Sequence, residues 1–198
     1  MYKCALCGIK ACRDDLEKAP QDCPSLSDEI SEVKELYTSD ENYKIAKIST
    51  LISTLEDKTR IEETLEFVRQ CGYAKIGLAF CNALAKETEM LDRIFNYHGY
   101  ATESVMCKVG CLSKETVGLA RSAVPMCNPI SQAQFLNERK TDLNVVIGLC
   151  IGHDSLFIKY SDAPVTVFAV KDKVLAHNPL GAVYLAEGTY KSKLFPPK

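Results

Sequence analysis

A chain of 198 residues with 46% hydrophobic residues, 25% charged residues and a formal net charge of -2 has room for one domain of ordinary size plus a small appendage. Two large domains do not fit. The near-neutral charge offers no basic face for nucleic acid or an anionic membrane, and no apolar run approaches the roughly 18 to 20 residues that span a bilayer.

Met1-Tyr2-Lys3-Cys4 leads directly into cysteines instead of a hydrophobic signal segment, so a cytoplasmic location is expected. Reductants there keep thiols free. The ten cysteines are therefore read as metal ligands or reactive thiols, not as a disulfide framework.

Residues 1–24 form a compositional block of their own, with Cys4, Cys7, Cys12 and Cys23, two prolines and almost no apolar periodicity. Such a segment needs a staple to fold. Residues 25–198 read as a helical lead-in and a single α/β domain. Ile30, Val33 and Tyr37 share one helical face, and Ile45, Ile48, Ile52 and Leu55 follow a 3-4-3 spacing. Thr59 and Glu62 make a capping box for a third helix carrying Ile61, Leu65 and Val68, which Gly72 stops.

From there the rhythm changes. Ala74–Phe80 is expected as a buried strand, residues 83–97 as a helix ended by Gly99, and Ala101–Met106 as a second strand, a unit of the right length for a right-handed parallel crossover. Cys71-Gly72-Tyr73-Ala74 and His98-Gly99-Tyr100-Ala101 are matching helix-to-strand turns. Asn128-Pro129 opens a helix to about Glu138, Asn144–Leu149 and Val165–Val170 are further strands, and Asn178-Pro179 starts a last short helix ending near Gly188. Alternating helices and apolar strands predict a three-layer αβα domain with a mostly parallel sheet.

Two cysteine sets carry the chemistry. In the first, Cys4-x2-Cys7-x4-Cys12-x10-Cys23-Pro24 puts four soft ligands within twenty residues, with Gly8 easing the turn beside the first pair. Four thiolates suit a tetrahedral zinc ion or an iron-sulfur cluster, and the spacing matches neither common pattern closely. In the second, Cys81, Cys107 and Cys150 each follow a strand, so their thiols should gather at the carboxyl edge of the sheet, where open α/β folds bind ligands. Asn82 can cap a helix after Cys81, and Asn128-Pro129 starts one directly after Cys127. The partial positive charge of a helix N-terminus favours thiolates at such places.

Cys81, Cys107, Cys127 and Cys150 are thus expected to bind a metal or cofactor, with Cys111 and His153 as substitutes, and four is the ligand number of a four-iron cluster. The plainer alternative is that Cys81 and Cys150 end apolar strands as small buried hydrophobes. Cys71 reads as helix packing, His98 as a helix C-terminal residue, and His177, before Asn178-Pro179, as a loop histidine facing either solvent or the same cleft. No Walker loop, G-x-G-x-x-G, H-E-x-x-H or G-x-S-x-G occurs.

The stretches CALCGIKAC, DLEKAPQDCP, KIGLAFCNALAKE, CKVG, MCNPISQAQFLN and TDLNVVIGLCIGHDSLFIKYSDAPVTVFAVKDKVLAHNPL resemble an uncharacterised, cysteine-rich metal-binding family of bacteria and archaea, a domain of unknown function. The resemblance spans nearly the whole chain and implies metal binding without a settled reaction. Cys111 stands where the family pattern has glycine, which argues against it as a shared ligand. The leading expectation is a redox or electron-transfer protein with a thiolate-bound iron-sulfur or other metal centre, for which a redox partner protein is implied. The alternatives are a zinc-stabilised module that senses or delivers a metal or small ligand, and a metal-free enzyme using Cys127 or Cys150 as nucleophile with His153 as base.

Overall fold

The computed structural model describes residues 2–55 and 57–197. The chain divides into two compact units, Met1–Asp57 and Lys58–Lys198.

In the first unit the cysteine block runs through four single turns of 3-10 helix, Cys4–Leu6, Ala11–Arg13, Leu16–Lys18 and Pro24–Leu26. Ala11 is the sole buried residue among the described residues before α1. So little apolar burial leaves the block without a core of its own. Helices α1 (Glu29–Leu36) and α2 (Asp40–Ser53) follow, and Ile48 and Ile52 of the expected apolar stripe are buried. These two helices, expected as a lead-in to the α/β domain, belong to the same unit as the cysteine block.

The second unit opens with α3 (Arg60–Cys71), whose start is the Thr59–Glu62 capping box and whose end is Gly72 at a left-handed φ of 66°. Beyond it lie β1 (Lys75–Phe80), α4 (Ala85–Tyr97), β2 (Ala101–Met106), α5 (Pro129–Glu138), β3 (Leu143–Ile147), α6 (His153–Tyr160) and β4 (Val165–Ala169). The last helix expected from Asn178-Pro179 is shorter than its pattern: α7 covers Leu180–Tyr184, and α8 (Lys191–Leu194) is separate. The Tyr190 N–H turns back onto the Leu185 carbonyl and divides them.

The four strands form one sheet in the order β2-β1-β3-β4, and every pairing is parallel. Alternation along each strand sends side chains to two cores. Ile76, Leu78, Leu143, Val145 and Ile147 pack with Val68 of α3 and with Leu91 and Phe95 of α4. On the other face Ala79 and Val146 pack with Ala133 and Leu136 of α5 and Phe157 of α6. Helices thus cover both faces, as the alternation predicted. Each buried Leu, Ile, Val or Phe contributes roughly 1.5–3 kcal/mol, so this unit holds its core without a metal.

Connectivity fixes where a ligand site falls. From β1 the chain crosses to β2 on one side, then returns past β1 to β3 on the other. The reversal lies between β1 and β3, and the crevice outside their carboxyl ends is the topological switch point of the sheet.

Candidate functional site: a thiol cleft at the switch point

All four strand exits contribute to this crevice. Phe80 is in register with both Met106 and Ile147, so Cys81 and Cys107 leave adjacent strands side by side. Hydrogen bonds from Cys81 N to the Ile147 carbonyl (3.0 Å) and from Cys107 N to the Phe80 carbonyl (2.9 Å) carry the ladder one residue past the strands. Both cysteines are buried. The long segment after β2 returns to place its own cysteine there, because Asn128 N–H donates to the Cys107 carbonyl at 2.8 Å. Asn128 also caps α5, its Oδ1 accepting from Ser131 N–H at 3.2 Å.

Cys150 reaches the same place through a tight turn. Gly148, at φ 64°, donates its N–H to the Ala169 carbonyl at 2.7 Å, and a Cβ there would come within 2.1 Å of Leu84 Cδ1. Only glycine combines that conformation with that approach. The Cys150 carbonyl then accepts from the N–H groups of His153 (2.9 Å) and Asp154 (3.1 Å), which starts α6.

The thiols act on one another. Cys107 lies close enough to Cys81 and Cys127, and Cys150 close enough to the same two, for each thiol to feel the others' charge. Backbone amides of the turn after β1 aim at the sulfurs: Asn82 N–H at Cys107 Sγ, 3.5 Å away, and Ala83 N–H at Cys81. The Asn82 side chain was expected to cap a helix here; its main chain serves the neighbouring strand's sulfur instead.

Sequence reasoning missed the most telling contact. Lys171 Nζ donates to Cys81 Sγ at 2.7 Å. Burial opposes ionisation of Cys81, but this ammonium and the Ala83 N–H outweigh it and hold the thiol below its ordinary range. Cys107 is pushed up to about 11, first by burial and then by Cys127 and Cys81. Cys150 is also raised, chiefly by burial and next by Cys81 and Cys127, against the pull of Lys171 and Lys173. The signal for Lys171 was present, because it follows β4 just as the cysteines follow β1, β2 and β3.

Gln132 of α5 was also missed. It is fully buried, and its Nε2 donates to the carbonyls of Phe80 (3.3 Å) and Val105 (2.7 Å), which precede Cys81 and Cys107. Its Oε1 is buried without a partner.

The other candidates separate clearly. Cys111 is exposed, and its φ of 49°, directly after Gly110 at 79°, is the left-handed backbone that glycine favours. His153 is tied to Cys150 through its backbone. Cys71 is buried at the end of α3, and His98 follows α4 with its ring edge-on to Tyr97. His177 belongs to the loop that carries Lys171.

In the first unit Cys4, Cys7 and Cys23 line a cavity of about 290 Å³ together with Pro20, Asp22 and Pro24, and Lys10 N–H donates to Cys7 Sγ at 3.4 Å. Cys12 does not line it. Among the described residues, no group of three or more His, Cys, Asp or Glu side chains stands arranged to hold a metal ion. The donor chemistry of both cysteine sets, soft sulfur with few competing carboxylates, fits zinc or an iron-sulfur cluster.

Fold and site together define an α/β protein with a thiol cleft at the switch point of a parallel sheet. By sequence the chain belongs to a family described as a protein of unknown function (DUF1847), whose model matches residues 23–168. That stretch contains Cys81, Cys107, Cys127 and Cys150. The chain is also 44% identical over 188 residues to an uncharacterised protein of Methanocaldococcus jannaschii, covering 92% of this chain and 93% of the relative. No solved structure matches it.

Proposed function

We propose that the protein is a cytoplasmic thiolate metalloprotein with a redox or electron-transfer role, whose cleft cysteines Cys81, Cys107, Cys127 and Cys150 bind an iron-sulfur cluster. One observation supports this reading: Cys81, Cys107, Cys127 and Cys150, from four separate parts of the chain, act electrostatically on one another beside the edge of the sheet where such folds bind ligands. Strand-end thiols that were mere core filler would not need amides and an ammonium directed at them. A bound cluster would supply one-electron transfer, and a protein partner would exchange the electron.

Cys4, Cys7, Cys12 and Cys23 are proposed as ligands of a second centre, zinc or iron-sulfur, that staples the first unit. The shared cavity of three of them and the N–H directed at Cys7 support this. Metal, sulfide and visible absorption of protein purified without oxygen test both centres. Iron and sulfide with a broad band near roughly 400 nm, lost in Cys127→Ala, are expected. Zinc alone would favour a sensing or delivery module, in which the cleft captures a metal or small ligand.

The Lys171–Cys81 contact favours a second reading, a metal-free thiol enzyme, and moves its nucleophile from the Cys127 or Cys150 expected from sequence to Cys81. Metal-free protein in which one equivalent of an electrophile labels Cys81 selectively would support it.

A further inference from the structure

The loop after β4 is built more firmly than a surface connection requires. In β4, Val167 pairs with Val146 and Ala169 with Ile147, so Phe168 is the extra residue of a bulge, a device that re-aims a strand next to a site. Lys171 then leaves the strand with its Nζ on Cys81 Sγ. A lysine has four side-chain torsions to fix and is otherwise hydrated, so holding it there needs an anchored main chain.

His177 provides the anchor. Its Nδ1 accepts from Asp172 N–H at 3.2 Å and so holds the residue that follows Lys171. The His177 N–H donates back to the Asp172 carbonyl at 2.8 Å. Asp172 Oδ1 accepts from Val174 N–H (3.0 Å) and Leu175 N–H (2.9 Å) and closes the loop from within. The cost is visible: Ala176 and His177 both hold positive φ, 49° and 65°, in conformations that cost non-glycine residues on the order of 1–3 kcal/mol each.

We infer that residues 170–177 form a cationic arm of the thiol cleft, in which Lys171 faces the bound group as its counter-charge and His177 is the residue that positions Lys171. The inference rests on the metal reading above and names the class of centre the cleft takes: an anionic metal-thiolate centre. Four thiolates on a divalent ion leave two negative charges, and in a half-buried site these need a fixed positive partner. Lys171 supplies it at Cys81. Lys173, near enough to act on Cys150, supplies a second positive charge on the same arm. A neutral ligand set would gain nothing from either.

The test uses the full chain with cobalt(II) as probe, the cleft signal being the thiolate-to-cobalt absorption that Cys127→Ala removes. Lys171→Met and His177→Ala should each speed cobalt loss to excess chelator roughly tenfold, the size expected from one charge-assisted contact. The double variant should lose cobalt no faster than either. His177→Asn, whose side-chain oxygen can accept the same Asp172 N–H and which tolerates positive φ, should restore retention. Unchanged retention in Lys171→Met, or additive losses in the double variant, overturns the proposal.

A metal-free readout keeps the two readings apart. In the apo-protein, acetylation of Lys171 mapped by mass spectrometry should be slower than that of exposed Lys193, should rise in His177→Ala, and should fall again in His177→Asn. Equal labelling of Lys171 in wild type and His177→Ala rejects His177 as the positioning residue. Wild-type protein that protects Lys171 but takes no cobalt into the cleft leaves the arm standing and removes the anionic metal centre.

Discussion

Cys81 and Cys107 leave neighbouring strands together, yet their surroundings treat the two thiols in opposite ways. Burial opposes charge on both, and only Cys81 has an ammonium in contact to overturn it. The raised thiol of Cys107 has a consequence for stability in the metal-free protein. A group whose pKa is higher folded than unfolded stabilises the fold below its unfolded value and loses that contribution as pH rises through its folded value. For Cys107 the window runs from the ordinary 9.0 to about 11. Cys107 should therefore contribute roughly 2 kcal/mol to a loss of apo-protein stability between pH 9 and 11 in urea unfolding, and Cys107→Val should remove the Cys107 part of the slope. Cys150, also raised, adds to the loss in the same direction. Cys81, shifted the other way, has gained its contribution by pH 9 and does not obscure the window. Metal loading should abolish the slope, because a bound Cys107 is already deprotonated; a slope that persists unchanged after loading would mean that Cys107 is not a ligand.

Among the elements, β1 shows how far a local pattern can be read. A run of small and branched apolar residues announces a buried strand, but nothing nearby says why its third residue is Gly77. A Cβ there would lie 2.0 Å from Asn144 Oδ1 of β3. Asn144 is fully buried and committed on both sides: its Oδ1 accepts from Thr141 Oγ1 at 2.8 Å, and its Nδ2 donates to Ser161 Oγ at 2.7 Å. Gly77→Ala must displace this amide, combining overpacking with broken buried hydrogen bonds. Chemical denaturation should show a loss of about 3 kcal/mol, whereas Gly8→Ala, in open space, should cost far less. The same division between local and distant signals runs through the whole reading. The capping box, Asn128-Pro129 and Gly72 are local chemistry, and the ends of α3 and α5 were legible from them. Strand direction followed from helix length between strands, so the parallel sheet was legible too, and with it the positions of Cys81 and Cys107 directly after adjacent strands. Gln132 escaped because its role exists only through contacts with a strand 52 residues away, whereas Lys171, whose partner is 90 residues away, was marked by its place after β4. The thiol rule was applied to three strand ends and not to the fourth, where the residue is a cation.

At the scale of the whole molecule, the two cysteine sets differ in how much apolar structure supports them, and so in what the proposed metal centres would contribute. Cys81 and Cys107 are themselves members of the second apolar core, with Cys127 packed against it, but the aliphatic and aromatic residues of both cores do not depend on a bound group, so an empty site should leave the fold intact. The first cysteine block buries little beyond Ala11 and holds only single 3-10 turns, so the centre proposed there would supply the order that burial does not. Because the sets lie in separate compact units, their loading should be separable. Native mass spectrometry of anaerobically prepared protein should show two centres. Cys127→Ala should lose the cleft centre and keep the other, with no change in hydrogen exchange over residues 4–26. Cys7→Ser should do the reverse, raising exchange across those residues to that of an unfolded segment while β1, β2 and β3 remain as protected as in wild type. Cys71→Ala, which removes a buried thiol from α3 outside both sets, should leave both centres loaded and cost stability alone. If Cys7→Ser instead empties the cleft, the sets are coupled and the division of labour drawn from their burial is wrong. Unchanged metal content in Cys127→Ala would return the strand-end cysteines to the role of core packing.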